Sequence, residues 1–275
     1  MVPVLGSVGG SGRSTVAALI AAGLSTAGSC VVLDLAHRLA SPWPSVADPG
    51  QGLVALPPTQ PLTPRQVRAA ASSMTTGGAH WNVLTDHQPW DAAPLPVPDA
   101  PGAWHQLAAA GGWQVVIPDT THPVAHDVVL TRSRGGASLT SAWYGLPYTV
   151  PVLAAATTAT GMRALQTTLQ VLDSAGLPLG RTVVALVSTG DGRTPAAVRA
   201  GATMLEPRVG ALVRVGYDPE VRATGLSGAF SSRSLDSAAA LGRAVLACAH
   251  KEWGEPLPAA LVPAPLPAAV PAARS

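Results

Sequence analysis

Hydrophobic runs of four to seven residues alternate along the chain with longer stretches whose apolar positions recur at helical spacing. Residues 2–5 form a short apolar run that ends in Gly6, and a Gly/Ser-rich loop leads into an Ala/Leu-rich helix from about residue 15 to 25. Gly28 closes that helix, and Cys30-Val31-Val32-Leu33-Asp34 reads as a buried strand with a carboxylate at its end. Thr63-Pro64 predicts an N-cap followed by proline at the first helical position, opening a helix over 63–73. A strand over 81–84, a helix over 104–110 and an apolar strand over 113–119 ending in Asp119 follow.

The second half repeats the rhythm. Strands are expected over 150–155, 182–187 and 209–215, and helices over 160–174, 195–204 and 235–250. Such alternation predicts an α/β fold, a mostly parallel sheet covered by helices on both faces. Residues 40–62 and 88–101 are rich in proline or glycine and are expected to form loops. One domain over 1–254 and a Pro/Ala-rich flexible tail over 255–275 complete the expected organisation. The tail's prolines at 256, 258, 263, 265, 267 and 271 break any membrane-seeking helix.

Composition narrows the function classes. With 275 residues, 47% of them hydrophobic, the chain supports a substantial core. Charged residues make up 12% and the formal net charge is +2, so no broad field draws nucleic acid or an anionic membrane. Arginines at 193, 199, 208, 214, 222 and 233 lie among Asp191, Glu206, Asp218, Glu220 and Asp236, which reads as a mixed solvated surface; nonspecific DNA binding has little support. Lys251 is the sole lysine. Cys30 and Cys248 lack a metal-binding pattern and are expected to be buried thiols. No secretory leader pattern or spanning segment is seen, and a cytoplasmic protein is expected.

The chemistry concentrates in the first loop. A glycine-rich turn between strand and helix leaves backbone N–H groups free, and the helix N-terminus adds partial positive charge. Gly9, Gly10 and Gly12 permit close approach of an anion. Ser11, Arg13, Ser14 and Thr15 fill out the loop, with Ser14 placed where a hydroxyl binds Mg²⁺ and Arg13 where a lysine contacts phosphate. Asp34 and Asp119, at strand ends beside the loop, are the candidate catalytic carboxylates, and Ser14 with Asp119 the candidate metal ligands. His122, His126 and Asp127 read as a polar loop rather than a metal set. Trp143, Tyr144 and Tyr148 read as aromatics packed on the sheet, with a partner surface as the alternative.

Gly9-Gly10-Ser11-Gly12-Arg13-Ser14-Thr15 resembles the deviant Walker A loop of ParA/MinD-like P-loop ATPases, and Val115-Val116-Ile117-Pro118-Asp119-Thr120 resembles their Walker B strand. The resemblance spans about residues 2–250 and is poor between 40 and 105. It implies an ATP- or ADP-binding, Mg²⁺-dependent switch that works as a nucleotide-dependent homodimer and positions cargo, with protein partners the sequence does not identify. Three departures stand out: Val8 replaces the lysine that reaches across the dimer, Arg13 the second lysine, and Ala36 the carboxylate that activates water. Phosphoryl transfer depends on positioning and on neutralising charge, so these exchanges predict weak or absent hydrolysis with retained nucleotide binding. A pseudo-ATPase scaffold that has lost the nucleotide remains the rival reading. No constellation for a small-metabolite substrate is seen.

Overall fold

The computed structural model describes residues 1–48, 52–57, 61–93, 95 and 97–255. In chain order, β1 (Val4–Gly6) leads to α1 (Arg13–Leu24) and β2 (Cys30–Asp34). Next come α2 (Pro64–Ala70), β3 (Ser72–Thr76), β4 (Ala79–Leu84), α3 (Pro101–Gly111) and β5 (Val115–Pro123). After them follow α4 (Val124–Ser133), α5 (Leu139–Tyr144), β6 (Val152–Ala156), α6 (Ala159–Ser174) and β7 (Val183–Val187). The chain then runs through α7 (Ala196–Leu205), β8 (Ala211–Val215), α8 (Pro219–Thr224) and α9 (Ser232–Trp253).

The strands form one sheet in the order β3-β4-β2-β5-β1-β6-β7-β8, parallel except for the antiparallel β3–β4 pair. Alternate residues of each central strand feed opposite layers, which is why these strands read as continuous apolar runs. Val4, Val32, Val152, Ala154 and Val183 pack beneath α1 and α9. Leu5, Leu153, Ala155, Val184 and Leu186 face α4, α6 and α7, while Val31, Leu33 and Leu84 face α2, α3 and α5. Helices α1 and α9 cross so closely that a Cβ on Gly23 would stand 2.1 Å from the carbonyl oxygen of Ala238. Two glycines meet there, since Gly242 in turn lies against the Gly23 backbone.

The α/β expectation holds, and several local expectations are corrected. The helix expected over 63–73 stops at Ala70. Thr63 does form a capping box with Gln66, but 72–76 turns into an edge strand because Gly77 and Gly78, both at positive φ (57° and 82°), close a tight hairpin onto β4. Within the stretch expected to form loops, Trp43 is fully buried. His122, His126 and Asp127 do not share a polar loop, since β5 runs on to Pro123 and α4 begins at Val124. Asp127 instead caps the start of α5, accepting from the Thr140 N–H at 2.7 Å and from the Thr140 hydroxyl. Trp143 and Tyr144 are buried as expected, whereas Tyr148 is 71% exposed and stands edge-on to Trp253. Cys30 and Cys248 are both buried, and burial pushes the Cys30 thiol up to about 12. The expected tail lies outside the described residues from 256 onward. Among the described residues, no helix is long and apolar enough to cross a membrane.

Candidate functional site: a glycine loop facing two buried carboxylates

Between β1 and α1 the backbone turns through Gly10 at φ 70° and Gly12 at φ 84°, conformations that favour glycine. No atom lies within 4 Å of a Cβ placed on Gly9 or Gly10, so the outer wall of the turn is open. Gly12 closes the inner wall: a Cβ there would come within 3.0 Å of Val187, the last residue of β7. Helix α1 starts without a side-chain cap. The N–H groups of Gly9, Gly10, Gly12, Arg13, Ser14 and Thr15 find no hydrogen-bond partner among the described residues. Ser7 and Ser11 add two buried hydroxyls that also lack partners. The loop N–H groups lie on exposed or half-buried residues, as the first turn of any helix leaves them, while the two hydroxyls are buried without an acceptor or donor; together they make an arrangement suited to an anion.

Parallel pairing sets the two carboxylates side by side, because Asp34 of β2 and Asp119 of β5 occupy the same register. Both are 3% exposed. Asp34 accepts from the Ala36 N–H (3.0 Å), the Ser41 hydroxyl (2.6 Å) and the Thr85 hydroxyl (2.6 Å). Burial outweighs these bonds and pushes its carboxyl up to about 6. Asp119 accepts from the Trp43 indole N–H at 2.8 Å, and burial raises its pKa against the opposing effects of the Ser14 hydroxyl, that indole and the Arg13 charge. Trp43 itself is wedged edge-on against Trp81.

Arg13, the first residue of α1, folds its aliphatic stem across Gly6, where any Cβ would lie 2.8 Å from the Arg13 Cδ. Burial lowers its affinity for the proton and the Asp119 charge opposes that effect. The same guanidinium acts on His122, whose imidazole is held towards the neutral form chiefly by burial. Arg13 therefore brings positive charge beside the Asp119 end of the site. Val8 stands at the loop tip, 37% exposed, and Ala36 offers only its backbone, spent on Asp34.

The structure brings together all the residues expected at this site: the loop Gly9, Gly10, Ser11, Gly12, Arg13, Ser14 and Thr15 beside Asp119, with Asp34 one strand further out. Sequence reasoning missed Ser41, Trp43 and Thr85. Thr85 directly follows β4, a position that a strand-end polar residue marks. Nothing in the Pro-rich stretch around Trp43 signals its contact with Asp119.

No family model and no curated protein sequence matches the chain. Solved structures do. The cell division ATPase MinD of Pyrococcus furiosus superposes with a TM-score of 0.58 at 18% identity, covering 89% of this chain and 97% of its own. The MinC:MinD cell division protein complex of Aquifex aeolicus gives a TM-score of 0.52 at 10% identity, covering 94% and 96%. An ATP complex of a McdA variant from Cyanothece gives 0.52 at 13% identity, covering 90% and 95%. These likenesses show that the chain has the MinD/ParA-type P-loop fold.

Proposed function

We propose that the chain is a nucleotide-binding switch of the ParA/MinD type, with backbone-driven ATP or ADP binding and weak or absent hydrolysis. The observation that carries this reading is the cluster of unpartnered N–H groups and the orphaned Ser7 and Ser11 hydroxyls at the start of α1. A triphosphate supplies the acceptors that such a cluster lacks, and the helix end favours its charge. The fold supports the reading, and a McdA structure of that fold holds ATP.

The residues also fit Mg²⁺. Ser14 and Asp119 present a neighbouring hydroxyl and carboxylate, the hard oxygen donors that this ion takes. When bound, the ion neutralises phosphate charge. Arg13 contributes the side-chain cation on the loop, and its planar head is shaped to grip phosphate oxygens in pairs. With Val8 and Ala36 in place of charged groups, the positioning and neutralisation that speed phosphoryl transfer are reduced far more than the backbone grip on phosphate. A nucleotide-dependent homodimer and a protein partner or cargo belong to the same reading; a MinD of this fold is known in complex with MinC.

Titration with ATP and Mg²⁺, followed by thermal unfolding and by molecular mass, tests it. At 100 times Kd, binding adds about 2.7 kcal/mol, or about 5 °C or more in Tm for a domain of this size. A rise in Tm accompanied by doubling of the mass supports the switch. Neither response, in the presence of intact fold, supports the nucleotide-free scaffold. Robust ATPase activity that disappears in Asp119→Ala would refute weak hydrolysis.

A further inference from the structure

Beyond the phosphate loop, a cleft of about 470 Å³ opens where the chain leaves β2, β4 and β5. Its volume falls within the ~300–1,000 Å³ typical of small-molecule sites. The place is one that parallel sheets favour, the carboxyl ends of adjacent strands. Leu35, Leu39, Trp104 and Trp143 contribute apolar walls, and Trp90, 78% exposed, stands at the rim. Trp143 is fully buried and its indole N–H has no partner, so this wall is apolar at its surface and unsatisfied behind it.

The charges along the cleft do not balance. Arg38 is its one lining arginine, and both its terminal nitrogens are engaged: Nη1 donates to Asp86 at 3.1 Å and Nη2 to the Ala92 carbonyl at 2.5 Å, while the unpartnered Nε is buried away from the cleft. The Arg38 and Asp86 side chains are only 8% and 13% exposed, so this pair closes the wall. Asp34 on the floor and Asp99 at the rim have no cationic partner among the described residues. His122, also lining the cleft, is held towards its neutral form by burial. The wall is thus aromatic and aliphatic with a surplus of carboxylate, a combination that accepts a flat apolar body carrying an ammonium group.

We infer that this cleft is a binding site for a small aromatic or aliphatic amine, adjoining the phosphate loop and sharing Asp34 with the candidate nucleotide site. The ammonium group lies towards Asp34 and the apolar body between Leu39, Trp90 and Trp104. The segment over 36–39 lines the cleft and runs directly into Ser41 and Trp43, which hold Asp34 and Asp119. An amine bound here therefore touches the same backbone that grips the two site carboxylates.

The test uses 1-naphthylmethylamine and its anionic counterpart 1-naphthoate, titrated into the full chain without nucleotide and followed by quenching of tryptophan fluorescence. Saturable binding of the amine, at least ~10-fold tighter than the carboxylate, is the expected result. Trp90→Ala and Asp99→Asn, both at exposed positions, each weaken it by about threefold or more. Gly12→Val, which obstructs the phosphate loop, leaves amine binding unchanged while abolishing any response to ATP, so the two sites fail independently. Equal binding of amine and carboxylate overturns the inference. So does absence of saturation by the amine, or amine binding that is indifferent to both rim variants.

Discussion

Replacing Asp34 with Asn should stabilise the protein at neutral pH, although it removes a residue of the candidate site. Asp34 is almost wholly buried beside Asp119, and its carboxyl titrates at about 6 rather than near its ordinary 3.8. A carboxyl displaced that far costs about 3 kcal/mol of folding free energy above pH 6. The sign follows from proton counting: between pH 4 and 6 the folded form holds a proton that the unfolded form has released, so stability falls as pH rises through that window and is flat above it. An amide keeps the geometry. Its oxygen accepts from the Ala36 N–H, and the Ser41 and Thr85 hydroxyls turn to accept from its NH₂ group. Burying the amide and reversing two hydroxyls offset part of the gain, leaving about 1–2 kcal/mol, or about 3–6 °C in Tm. Urea denaturation of both proteins from pH 4 to 8 measures it. The variant should be less stable than the parent by about 1 kcal/mol at pH 4, overtake it as the pH rises and level off above pH 6. A variant less stable than the parent at pH 7.5, or a difference that ignores pH, would refute the claim that an uncompensated charge is buried at Asp34.

Two further outcomes test the architecture. Trp43→Phe removes the indole N–H from the buried Asp119 carboxylate and leaves a small void against Trp81, so a loss of about 2–4 kcal/mol is expected in urea denaturation at neutral pH; a loss below about 1 kcal/mol would show that the bond is not formed in solution. Gly23→Ala drives a Cβ into the Ala238 carbonyl at the α1–α9 crossing and should destabilise by at least about 2 kcal/mol despite the better helix propensity. Gly102→Ala, whose Cβ meets nothing within 4 Å in α3, should be neutral or stabilising by about 0.5 kcal/mol. Equal effects at the two glycines would contradict the close crossing.

The central strands and their helices were legible because a sheet buried on both faces demands unbroken apolar runs, and 30–34, 115–117 and 183–187 supply them. The glycine loop was legible because its glycines and its place between strand and helix are fixed by local backbone geometry. Edge strand β3 was not: Ser72, Ser73, Thr75 and Thr76 carry no apolar alternation, and only the Gly77-Gly78 turn marks the hairpin. Helices α4 and α5 were missed because α4 has a weak apolar face and α5 is a short turn whose Thr140 N–H donates to the distant Asp127 carboxylate. Trp43 is the instructive miss. Its contact with Asp119 spans 76 residues of chain, and composition around it argues only for loop.

The site's substitutions bear on two physically separate tasks. On the proposed reading, grip on phosphate comes from backbone dipoles, and Gly9, Gly10 and Gly12 supply the conformation that aims them. That contribution does not depend on which side chain stands at 8 or 36. Turnover does, because it needs positive charge delivered as the phosphoryl group transfers and a base placed for the attacking water. Here one arginine acts on Asp119 and none on Asp34, and both carboxylates are pushed towards protonation. The site is short of positive charge before any ligand arrives. On the proposed reading, a nucleotide entering with Mg²⁺ corrects that shortage at Asp119, so divalent metal should strengthen nucleotide binding even where no hydrolysis follows. ATP affinity that is unchanged by excess EDTA would show that Arg13 alone satisfies the phosphates and that Asp119 serves the fold rather than the metal.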